Sequence, residues 1–387
     1  MPIVNRIADF HADMVAWRRD IHAHPETAFE ETRTAARVAE LLESFGITIE
    51  RGVAKTGVIG TLKGNAPGHR AIALRADMDA LHVHEKNGFA HASQHEGRMH
   101  ACGHDGHTTM LLGAARYLAE TRNFAGTVHF IFQPAEENEG GARVMVEEGV
   151  LARYPVEAVY GMHNWPGLEA GQFAIRSGPM MAAFDIFEIA VTGRGAHAAM
   201  PHLGIDPVVV AAQIVTGLQT IASRNTHPLQ GAVVSVTQIH GGDTWNVIPD
   251  TVVLRGTTRA FEPAVRDAIE PAMRRVAEGA AASFGATVEM RYERRYPPTV
   301  NSAAETEIAA AAAADLVGSD KVRRDLLPSM GAEDFAWFLQ EKPGAYIWIG
   351  NGEAAANLHN PHYDFNDEIL PLGASYWVRL AESVLAK

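Results

Sequence analysis

The 387-residue chain has one cysteine, Cys102, so no intrachain disulfide can form, and the secreted, disulfide-framed class is excluded. No apolar run of about 18 residues is present to span a bilayer. The N-terminal stretch MPIVNRIADFHADMVAWRRD carries Asp and Arg throughout, and reads as an amphipathic helix rather than a signal peptide. A basic excess is lacking too. Against 46 Asp and Glu stand 33 Lys and Arg, and the formal net charge of -13 opposes nucleic-acid or anionic-membrane partners. Internal repeats, low-complexity tracts and long linkers are missing as well. These absences lead to the expectation of a protein of the reducing cytoplasm that acts on a small ligand.

What is there is apolar and rich in histidine: 47% apolar residues over this length exceed what one core organises, so two domains are expected, and 19 histidines hint at chemistry. The helix TRTAARVAELLESFG ends at Gly46. AIALRA, TVHFIF and AVYGM then read as strands separated by the helices GHTTMLLGAARYLAE and GGARVMVEEGVL. This alternation predicts an α/β domain with a mainly parallel sheet and helices on both faces. From DIFEIAVTG onward the order becomes strand, helix, two strands (VVSVTQIHGG and VIPDTVVLRGTTR), helix, strand, which is the split βαβ, ferredoxin-like α+β unit. We therefore expect a first domain at 1–182 and 296–387 and an inserted one at 183–295.

Ligands of a parallel sheet bind beyond the carboxyl ends of its strands, so what each strand runs into is informative. AIALRA runs into Asp77 and Asp79, TVHFIF into Glu136 and Glu137, and AVYGM into His163. Cys102-Gly103-His104-Asp105-Gly106-His107 opens a helix, and His359 follows the strand YIWIG. Taken singly, a lone Cys is more often a buried apolar residue, and an adjacent Glu pair a solvated one. Their joint placement at strand ends favours a divalent-metal cleft of mixed thiolate, imidazole and carboxylate donors, with room for two ions. One glutamate of the pair can bind metal while the other takes a proton from water. Asp77, Asp79, Asp105 and His107 are expected to fix the ligands by hydrogen bonds.

RRDIHAHPE, RADMDAL, MHACGHDGH, QPAEE with GGA, GMHNWP, GRGAHAAMPH, NVIPD, SMGAEDFA and LHNPHYDFND together resemble the M20 metallopeptidase clan, in its N-acyl-amino-acid amidohydrolase branch of hippurate and auxin-conjugate hydrolases. The resemblance implies a phosphorylase/hydrolase-like fold of the zinc exopeptidase type and two divalent ions per subunit, Mn or Zn, with Co or Ni as alternatives. It implies Cys102, His104, Glu137, His163 and His359 as ligands and Glu136 as general base. Asp77 stands where other clan members have the His of a His-x-Asp motif, and Cys102 takes a bridging place held elsewhere by Asp. The inserted domain is implied to be a lid that forms a homodimer, or a tetramer. From it His197 would donate to the developing oxyanion. Asn246, Arg259 and the backbone at Gly331 would contact substrate. The implied reaction is hydrolysis of an N-acyl amino acid to a carboxylic acid and a free amino acid. Its rivals are a dipeptidase or aminopeptidase of the same clan and a non-catalytic metal-containing binding protein.

Overall fold

Segments rich in β-branched and aromatic residues, TVHFIF and YIWIG among them, take the extended chain because such side chains pack well on a pleated surface. In the computed structural model, which describes residues 4–137 and 139–387, they fall in two compact units. The first takes the chain up to Met180 together with Val300–Leu327 and Asp334–Lys387; the second comprises Met181–Thr299 and Pro328–Glu333.

The first unit is built on one sheet. Its strands are β1 (Thr48–Val53), β2 (Gly57–Lys63), β3 (Ala66–Asp77), β4 (Ala125–Gln133), β5 (Ala158–Pro166), β6 (Phe173–Ala174), β7 (Val322–Arg323) and β8 (Gly344–Gly352). They lie in the order β1-β2-β4-β3-β5-β8-β6-β7. The central strands β4, β3, β5 and β8 are parallel, as expected. Toward the edges the pairing is mixed: β1 and β2 form an antiparallel hairpin, β2 pairs antiparallel with β4 and β6 antiparallel with β8, while β7 pairs parallel with β6. The short turn between Val53 and Gly57 suffices for the β1–β2 pair, whereas a parallel pair needs a long crossover. Buried almost along their whole length, β5 and β8 read as continuous apolar runs because both faces are covered.

The helices α1 (His11–Ala23), α2 (Thr32–Ser44), α3 (His104–Thr121), α4 (Ala303–Val317) and α5 (Leu370–Val384) share one apolar core with the sheet. Met14, Val38, Met110, Ala313 and Trp377 are among its members. The run GGARVMVEEGVL, expected as one helix, is two short ones, Gly141–Glu147 and Val150–Arg153, because the chain turns at Gly149 with φ 74°.

The second unit has four antiparallel strands in the order Ala232–His240, Thr251–Ala260, Ala183–Thr192, Thr287–Tyr296. With the helices Pro207–Thr220 and Pro263–Phe284 this gives the ferredoxin-like unit. Strand Ala183–Thr192 alternates strictly, sending Phe187, Ile189 and Val191 into a core with Ile214, Leu218 and Met273. The stretch VIPDTVVLRGTTR does not form one strand. Pro249 lacks the N–H a ladder needs, so Val247–Ile248 separates and pairs with Ala196–His197. Among the described residues, no helix is long and apolar enough to cross a membrane.

Candidate metal centre

Four elements of the first unit deliver the donors. β3 ends at Asp77, β4 runs through Gln133 to the loop of Glu136 and Glu137, β5 carries His163, and α3 begins at His104 just after Cys102. Gly103 enters α3 at φ 88°, and a Cβ there would lie 2.2 Å from Asn164 Nδ2, so only glycine lets Cys102 and His104 approach β5. Gly141 is equally required: a Cβ would sit 1.8 Å from the Pro134 carbonyl oxygen and force open the glutamate loop. His359 has φ 62°, and its N–H donates to Ala101 O at 2.7 Å, tying it to the segment of Cys102.

These donors converge. Ligand atoms of Cys102, His104 and His163 lie within 4.8 Å of one another, as do those of Cys102, Glu137 and His359. His104 also groups with Glu136 and Glu137. Cys102 is thus common to two donor sets.

Hydrogen bonds fix which ring nitrogen is free. His163 Nδ1 faces Asn164 O at 2.6 Å and must carry the proton, which leaves Nε2, 3.4 Å from Cys102 Sγ, as a lone-pair donor. His104 Nδ1 faces Asp79 Oδ1 at 3.3 Å, leaving Nε2 buried without a hydrogen-bond partner. Glu137 Oε1 is buried and lies 3.2 Å from His359 Nε2 without hydrogen-bonding geometry. Buried polar atoms without partners are rare, and His104 and Glu137 belong to one donor set with Glu136, so the residues fit a divalent cation. Charge agrees. Burial pushes the Cys102 thiol well above its ordinary range, and Glu137, Glu136 and Asp77 push it further. Burial alone would lower His104, yet Asp77 and Asp79 raise it to about 10. A field that draws a proton onto a buried imidazole also draws a metal ion, and a bound cation would reverse the cost of the thiolate.

Around the donors lies a buried polar frame. Asp79 Oδ2 accepts from Glu137 N at 2.9 Å, so one carboxylate holds both His104 and Glu137. His107 Nδ1 donates to Asp77 Oδ1 at 2.6 Å, while its Nε2 accepts from Asn164 N at 2.9 Å. Both nitrogens of His107 are therefore engaged. Asp77 is further held by Arg75 at 2.7 Å; burial would raise its carboxyl, but His104, Arg75 and His107 keep it well below the usual carboxylate range. Arg75 also donates to Gln133 and Asp334, and Asp334 N donates to Glu136 Oε1 at 3.3 Å. Arg75, Gln133, Asn164 and Asp334 lie outside the candidates that the sequence offers. An arginine inside the apolar strand AIALRA was the available signal.

Asp105 points elsewhere: its Oδ2 binds His22 Nδ1 at 2.8 Å and Arg18 at 3.4 Å, and none of the grouped donors. Arg18 in turn binds Asp364 and Asp367, fastening α1 to the segment after His359. Burial opposes the charge on His22, but Asp105 and Glu85 raise it from 6.5 to about 9. A folded-state value above the unfolded one contributes stability that is complete below about pH 6.5 and lost as pH rises through 9. We expect denaturant stability to fall by roughly 3 kcal/mol across that window. The slope should vanish in His22→Gln, and a flat wild-type profile from pH 6.5 to 9 would count against it.

The remaining candidates belong to the second unit. His197 is exposed on the short ribbon; its Nδ1 accepts from Ala199 N at 3.0 Å, so Nε2 carries the proton. Asn246 adjoins it, its carbonyl accepting from Ala198 N at 2.9 Å. Arg259 stacks 4.3 Å over Phe184 and donates to Thr258 O and Thr257 Oγ1; among the described residues it has no carboxylate ion pair. Gly331 N donates to Ser329 Oγ at 3.0 Å.

A buried cluster of thiol, imidazole and carboxylate at the carboxyl edge of a parallel sheet, in a chain that also carries a ferredoxin-like unit, has the donors and the proton acceptor that a metal-dependent hydrolase requires. The chain belongs to Peptidase family M20/M25/M40, which it matches over residues 73–383. It is similar to the N-acetylcysteine deacetylase of Bacillus subtilis (strain 168), 43% identical over 97% of this chain and 98% of that one. The hippurate hydrolase of Campylobacter jejuni is 38% identical, over 98% of this chain and 99% of its own. A crystal structure of a Bacillus subtilis protein, described as a dinuclear metal binding peptidase from the M20 family, superposes with a TM-score of 0.85 at 40% identity, covering 98% and 99% of the two chains. The resemblance drawn from the motifs is borne out.

Proposed function

We propose that this enzyme hydrolyses the amide bond of N-acyl amino acids, with two divalent ions, Mn or Zn, held by Cys102, His104, Glu137, His163 and His359. The observation that carries this reading is the sharing of Cys102 between two donor sets beside the carboxylate of Glu136, which is buried at 7% exposure. It is supported by similarity to proteins named as N-acetylcysteine deacetylase and hippurate hydrolase. Such ions would supply Lewis acidity, lowering the pKa of a nearby water and polarising the scissile carbonyl. Glu136 takes a proton from the water as its oxygen adds to the acyl carbon. It then returns that proton to the amide nitrogen as the C–N bond breaks, releasing a carboxylic acid and an amino acid. Asp79 keeps His104 and Glu137 aimed throughout.

The second unit serves in this reading as lid and dimerisation surface. Exposed Ile239, Trp245 and Val247 support an interface there. His197 Nε2–H, of the same or the partner subunit, is the donor to the developing oxyanion, and Asn246 and Arg259 contact the substrate's carboxylate or carbonyl, with the Gly331 backbone alongside. His197→Ala should reduce kcat by about 10² to 10³ with little change in KM, measured by steady-state kinetics. A loss below tenfold would remove His197 from this role. The reaction class is tested on apo-enzyme reloaded separately with Mn, Zn, Co and Ni against hippurate, N-acetyl amino acids and unblocked dipeptides. Hydrolysis of acylated substrates alone is expected; preference for dipeptides would overturn the assignment.

A further inference from the structure

The loop that carries Glu136 and Glu137 is strained where it begins. Ala135 has φ 54°, a left-handed conformation that is unfavourable for a non-glycine residue, so something must hold it. Its N–H donates to Glu31 Oε1 at 2.8 Å. The same oxygen accepts from Phe29 N at 3.0 Å, and Oε2 accepts from Thr56 Oγ1 at 2.6 Å. Phe29 (φ 62°) is itself left-handed, and so are Ala54 (φ 48°) and Lys55 (φ 74°) just before Thr56. Among the described residues only six non-glycine residues have positive φ, and four of them lie at or beside the donors to this one carboxylate.

Glu31 is completely buried, and among the described residues it has no ion pair with Arg, Lys or His. Burial, and then Asp79, push its carboxyl up to about 7, so the group is expensive to keep. An apolar residue would fill the space more cheaply, but could not accept three hydrogen bonds from three separate segments.

We propose that Glu31 is a positioning residue for the reaction, pinning the backbone at Ala135 so that Glu136 and Glu137 are presented in their working orientations. The inference rests on the amidohydrolase reading but has a readout independent of it. Apo-protein is titrated with Mn²⁺ alone, and kcat and KM are measured separately on an N-acetyl amino acid.

Glu31→Ala is expected to lower kcat about 10- to 100-fold and weaken Mn²⁺ binding about tenfold, with KM within about threefold of wild type. Glu31→Gln, whose carbonyl oxygen can still accept from both N–H groups while its amide donates to Thr56, should stay within about fivefold of wild type in both. A general loss of packing would lower the melting temperature without separating kcat from KM. Should Glu31→Ala fail to fold, Glu31→Asp keeps the charge but withdraws the oxygens by one methylene, and should show the same losses. Wild-type kcat and Mn²⁺ affinity in the Ala or Asp variant, or equal losses in Gln and Ala, would overturn the proposal. A wild type that binds Mn²⁺ but hydrolyses none of the panel sinks the amidohydrolase reading instead, and the Mn²⁺ titrations still decide the role of Glu31.

Discussion

Glu136→Gln is expected to retain its metal and lose about 10³-fold or more in kcat, since a positioned general base contributes about 10² to 10⁴. The substitution is close to isosteric, and the amide oxygen can still accept from Asp334 N, which Glu136 Oε1 does at 3.3 Å. Structure and metal content should therefore be unchanged, by melting temperature and metal analysis. Glu137→Gln provides the contrast: Glu137 lies with Cys102 and His359 in one donor set, so its loss should appear first as weaker metal binding. A Glu136→Gln enzyme within tenfold of wild-type kcat would reverse the two roles or dismiss both.

Cys102→Ser should be nearly as damaging, by another route. Because Sγ belongs both to the set with His104 and His163 and to the set with Glu137 and His359, one substitution would weaken both of the proposed ion sites. A neutral serine hydroxyl cannot replace a thiolate donor. Metal affinity should fall by more than the roughly 100-fold that outer hydrogen-bonding partners are worth. Cys102→Asp, which restores an anionic donor, should recover part of the binding, with a preference shifted toward harder ions. Two equivalents of Mn²⁺ held by Cys102→Ser at wild-type affinity would show that the thiol is merely buried between the sites.

Much of this was legible in the sequence because the centre obeys a local rule: donors sit where apolar strands stop. Glu137 and His163 could be found that way, and His104 by its place at a helix start. The sheet's parallel centre was legible for the same reason, through uninterrupted apolar runs. The residues that hold the donors follow no such rule. Arg75 meets Asp334, and Arg18 meets Asp364 and Asp367, across most of the chain's length, and a pairing between distant charges leaves no period to read. Asp105 illustrates the limit. Its neighbours in sequence are a donor and a glycine of the same motif, yet its carboxylate turns to His22 and Arg18. Glu31 lay in plain view within FEET, but nothing local distinguishes a pinning carboxylate from a solvated one.

The order of the sheet has a consequence for biosynthesis. β8 lies between β5 and β6, yet it leaves the ribosome only after all the strands and helices of the inserted unit. Until it arrives, β5 has an open edge at the heart of the sheet, and His359, which follows β8, has not yet been translated. The ferredoxin-like unit has all its strands by Tyr296 and can fold while the first unit waits. If the proposed ligand set holds, metal capture waits for the segment made after the inserted unit: a nascent chain that already carries Cys102, His104, Glu137 and His163 would still lack His359.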